Sequence, residues 1–85
     1  MGSISTTLSG TGKAKLDFGN CGITSGGTVK AILDGVEIAS AGPEAPNNIV
    51  EFNFNDGSSL SIKETNWAVI QFNSLEILSY DENCV

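Results

Sequence analysis

The sequence predicts an all-β protein, an antiparallel β-sandwich or jelly roll of about eight short strands forming one domain over residues 1–85. Three observations carry that expectation. Apolar residues recur with period two, and no stretch sustains the 3.6-residue period of an amphipathic helix. Ile, Val, Thr and Phe supply the apolar positions, as suits a pleated, half-buried surface. Ten glycines, two prolines and many Asn and Asp residues punctuate the chain at the spacing of sandwich turns.

Taken in order, Ser3–Ser9 places Ile4, Thr6 and Leu8 on one face. Lys13–Phe18 gives the cleanest alternation, with Ala14, Leu16 and Phe18 opposite Lys13, Lys15 and Asp17. A glycine-rich connection (19–27) leads to strands at 28–33 and 36–40, joined by Asp34-Gly35, a strong hairpin signal. Residues 41–48 hold Pro43 and Pro46 and are expected to loop, since neither proline suits a central strand. Val50, Phe52 and Phe54 then alternate along 49–54, and Asp56-Gly57 is expected to close a second hairpin into 59–64, with Leu60 and Ile62 inward. A short turn is allowed near 64–68. The nearly continuous apolar run 67–72 reads as a central strand buried on both faces, followed by another strand at 74–80. The four phenylalanines, Phe72 included, are in phase with their strands and are expected in the core.

The net charge is −6, from ten acidic residues against four lysines, with neither Arg nor His. Nucleic-acid binding needs a cationic face to displace counterions from phosphates, and four scattered lysines do not make one. An anionic membrane surface is disfavoured on the same ground, and no apolar run is long enough for a transmembrane helix. The opening Met1-Gly2-Ser3 reads as an expression remnant, so a missing leader says nothing. Without His, a Ser or Cys nucleophile lacks its usual base. Paired carboxylates would need a deep cleft in a small domain. The expectation is a protein that is not an enzyme.

Cys21 and Cys84 lie far from any zinc-ligand spacing. Either they are two free thiols or they form one disulfide tying an early strand to the C-terminus. In the chain-entropy model a loop of that length contributes about 4 kcal/mol, and such a bond implies an oxidising compartment. Asp34 and Asp56 are hard oxygen donors that calcium could use. Yet both sit where tight turns favour Asp, and no EF-hand pattern is present.

A ligand site for sugar needs an exposed aromatic to stack on the apolar face of a pyranose ring, beside amides that bond the hydroxyls. Trp67, the one tryptophan, and Tyr80, the one tyrosine, are the candidate platforms, with Asn66 and Asn73 as polar partners and Gln71 nearby. The competing reading packs Trp67 in the core with Val69, Phe52 and Phe72.

The segment GTVKAILDGVEIAS, together with FNSLEI near the end, resembles hairpins of the galactose-binding-like jelly-roll carbohydrate modules of extracellular proteins. The resemblance covers about half the chain and maps no ligand residue of that group onto it. It implies a secreted or extracellular binding module that takes a carbohydrate or protein ligand. The alternative is a structural or adhesive repeat that packs on neighbouring repeat modules and has no small ligand.

Overall fold

Alternation along Gly12–Asn20 (β2) shows how the sequence pattern becomes a layer. Ala14, Leu16 and Phe18 are wholly buried, while Lys13 and Lys15 face outward. The computed structural model describes residues 2–23 and 26–80. Among them run six further strands: Ser3–Thr7 (β1), Thr28–Leu33 (β3), Val36–Ala41 (β4), Ala45–Phe54 (β5), Ser59–Thr65 (β6) and Ile70–Tyr80 (β7). No helix occurs among the described residues. The strands form two antiparallel sheets, one ordered β1-β6-β3-β4 and the other β5-β2-β7. The protein is a β-sandwich.

The core lies between the layers. Leu16, Phe18, Phe52 and Phe54 from the three-stranded sheet meet Val29, Ala31, Leu60 and Ile62 from the four-stranded one. Each large side chain buried there contributes about 1.5–3 kcal/mol by leaving water. These inward residues are the ones whose period-two phase marks them in the sequence.

Asp34 and Gly35 close the expected two-residue hairpin between β3 and β4. Their φ values of 50° and 83° supply the left-handed pair that a type I′ turn needs. Asp56-Gly57 differs from expectation. It joins β5 to β6, which belong to different sheets, so the chain crosses between layers there instead of forming a hairpin. The neighbouring backbone explains why. The Gly57 N–H donates to the Leu8 carbonyl and the Leu8 N–H donates to the Ser58 carbonyl, both at 2.8 Å. Leu8 lies on the β1–β2 connection, which also crosses between layers, and the two crossings bond to each other.

Three other expectations change. The strands expected at 67–72 and 74–80 are one, since 70–80 is continuous with Asn73 and Leu78 absorbed as bulges against β2, which leaves seven strands among the described residues. That strand lies at the edge of its sheet, so the expected two-sided burial of 67–72 fails, and Phe72 is 51% exposed. The proline loop is only Gly42–Glu44, since Pro46 fits the edge strand β5, where a missing N–H costs no ladder bond.

One end of the sandwich carries Asp34, Asp56, Gly12 and Tyr80. The opposite end carries Asn20, Thr28, Thr65 and the start of β7. Ser3 pairs with Lys63 toward this second end.

Candidate functional site

Asn20 organises the second end. It continues the inward phase of Ala14, Leu16 and Phe18, and its side chain is fully buried. Its Oδ1 accepts the Gly22 N–H at 2.8 Å and the Val69 N–H at 3.2 Å. Its Nδ2 makes longer contacts to the carbonyls of Gly27 and Ala41, at 3.4 and 3.5 Å. One amide thus ties together four separate segments of chain. A polar residue in the inward phase of an apolar strand is the sequence signal for such a hub.

Above this hub the chain turns at Thr65–Ala68, closed by the Ala68 N–H donating to the Thr65 carbonyl at 3.2 Å. Both central residues are left-handed, Asn66 at φ 52° and Trp67 at φ 66°. This is the geometry that normally selects Asn-Gly, with Trp in the glycine position. The left-handed region costs a residue bearing a Cβ about 1–2 kcal/mol. The Asn66 Nδ2 donates to the Gly26 carbonyl at 3.0 Å and fixes the turn. Trp67 is 82% exposed, so it is not core. Ile23 and Val69 are exposed at the same end.

Asn73 bulges from β7 onto the outer face of the three-stranded sheet. Its Nδ2 contacts the Asp17 Oδ1 at 3.1 Å, the Pro46 carbonyl at 2.9 Å and the Asn47 Oδ1 at 3.3 Å. The Gln71 Nε2 donates to the Asn73 Oδ1 at 2.9 Å. This amide and carboxylate cluster is solvent-exposed, with Asn73 about 10 Å along the strand from Ile70. Asp17 and Asn47 are its members that strand periodicity does not single out, because β5 and β2 bring them together only in the folded sheet.

Tyr80 does not join this group. It pairs with Gly12 at the other end, packs edge-on against Phe54 with ring centroids 6.2 Å apart, and lies over Gly10. Asp34 and Asp56 lie at that end too. The Asp34 carboxylate accepts the Ser59 N–H and the Ser58 hydroxyl, each at 2.9 Å, and Asp56 Oδ1 accepts the Gly10 N–H at 2.8 Å. The two acidic turns are neighbours, but each bonds the protein's own donors. No group of three metal-ligating side chains occurs among the described residues.

Cys21 is exposed just beyond β2, and Cys84 lies outside the described residues.

The fold and its loop-bearing end define a small antiparallel sandwich that presents one strained, exposed tryptophan at one end and a polar cluster on the outer face of its three-stranded sheet. No family model, curated protein or solved structure matches the chain.

Proposed function

We propose that the protein is a non-catalytic, extracellular carbohydrate-binding module whose platform is Trp67. One observation carries this reading: the only tryptophan occupies a glycine position of a type I′ turn and stands 82% exposed. It gains little burial there and bears backbone strain, so folding does not account for it. Strain of this kind concentrates at functional sites. Stacking on a sugar ring gives the exposed indole a partner. The amides of Asn73 and Gln71 on the adjoining sheet face match the hydroxyl chemistry of an oligosaccharide that extends beyond Trp67. The reading draws on Trp67, Asn66 and Asn73, and leaves Tyr80 to packing.

The experiment is a fluorescence titration. Because Trp67 is the sole indole, its emission reports the site directly. A panel of neutral oligosaccharides, with and without calcium, is expected to shift that emission in the millimolar range or below. Trp67→Ala and Trp67→Gly should both abolish retention on an immobilised glycan. The Gly variant should be about 1 kcal/mol more stable than the Ala variant, because glycine relieves the left-handed strain. Unchanged emission at millimolar sugar across the panel rejects the proposal.

A further inference from the structure

The sandwich is open along one flank. On that side the edge strands are β1 and β7. Between them is a cleft of about 270 Å³ walled by Ile4, Thr6, Leu60, Ile62, Phe72 and Leu75. Ile4 and Phe72, one from each sheet, are each about half exposed at its mouth.

The edge beside the cleft is protected by its bulges alone, with neither Lys nor Pro. Edge strands are normally short, or carry Lys or Pro, to prevent pairing with another chain. β1 has five residues, β4 has six with Glu37 among them, and β5 contains Pro46. β7 runs for eleven residues with neither Lys nor Pro. Its two bulges leave a regular stretch from Ser74 to Ile77.

We infer that two copies of this chain associate antiparallel along β7, joining their three-stranded sheets into one of six strands and closing cleft against cleft. Local charge at this edge leaves room for a second copy. In a chain of net charge −6, Glu76 is the one charged side chain on β7, and Lys15 neutralises it at 3.7 Å. A two-fold axis at Leu75 keeps the sheet faces in phase and sets Ser74 against Glu76 of the second copy, so like charges do not oppose. Area suits a weak contact. Phe72 is 51% exposed. With about 150–250 Å² per aromatic residue it offers roughly 100 Å², and the aliphatic residues Ile4 and Leu78 add a comparable amount. That total is about half of the apolar share of a standard interface of about 800 Å² per partner, as expected for weak association. The surface is distinct from the Trp67 turn, and the inference does not rest on the sugar-binding reading.

The test is sedimentation equilibrium on the full chain under reducing conditions, from about 10 µM to about 1 mM, the span of weak association. A reversible monomer–dimer equilibrium is expected. Amides of Ser74–Ile77 should gain hydrogen-exchange protection as concentration rises, while those of β4 and β5 do not. Phe72→Lys and Ile4→Lys enter the cleft from opposite sheets and should each weaken the dimer about tenfold or more, with the β-sheet circular dichroism retained. A strict monomer overturns the inference, as does a monomer that captures an added apolar peptide instead. Protection confined to β4 or β5, or a dimer that survives in both folded variants, overturns it equally.

Discussion

Replacing Asn20 with Ala tests what holds the loop-bearing end together. The substitution leaves the Gly22 and Val69 N–H groups without their acceptor, at present 2.8 and 3.2 Å away. A buried donor stripped of its partner costs about 1–3 kcal/mol. Gly22 is buried and carries about 2 of this, whereas Val69 is half exposed and water reaches it, so about 1 is assigned there. The contacts to Gly27 and Ala41 are long and add little. The expected loss is about 3 kcal/mol, or roughly 12–24 °C in Tm for a domain of this size. Asn20→Asp should not rescue it. Asp keeps an acceptor for the two N–H groups but turns a second oxygen toward two carbonyl oxygens. The assay is urea unfolding followed by far-ultraviolet circular dichroism. Trp67 fluorescence is a poor probe, since the indole is already in water in the folded state. A loss under about 1 kcal/mol with an unchanged m-value refutes the reasoning, because it means water or a relaxed turn replaces the hub.

Two further substitutions separate other contributions. A Cβ on Gly19 would overlap the Pro46 carbonyl oxygen, so Gly19→Ala must push β5 away and should cost about 3 kcal/mol. By contrast, Gly42→Ala meets open space without positive φ, and thermal melts should show it stabilising by about 0.4–1 kcal/mol. Asp34→Ala loses the bonds to Ser58 and Ser59 while keeping a left-handed φ, and should lower stability by about 2–3 kcal/mol in the same urea assay.

The strand pattern was legible because burial acts on alternate residues. Ala14, Leu16, Phe18, Phe52, Phe54, Leu60 and Ile62 all lie inward as their phase requires. What periodicity cannot carry is the position of a strand within its sheet. Phe72 is in phase and still half exposed, because β7 ended at an edge and phase assigns a face without supplying a neighbour. The two Asp-Gly pairs make the same point. Both turn the chain, but only Asp34-Gly35 has strands two residues apart that pair. At Asp56-Gly57 the partner is Leu8, more than forty positions away in sequence, and local turn chemistry holds no record of it. Of the ligand candidates, Asn66 and Trp67 share one turn by adjacency, whereas the separation of Tyr80 from Trp67 follows from the length of β7.

Ser3 and Tyr80 lie toward opposite ends of a body 52 Å long. Tension applied between them runs parallel to the strands. It loads the rungs of the β1–β6 and β2–β7 ladders side by side, in shear, so that many must rupture together. A sandwich pulled from one end would instead unzip rung by rung. Under such a load, resistance to stretching would be set by the unfolding rate more than by equilibrium stability.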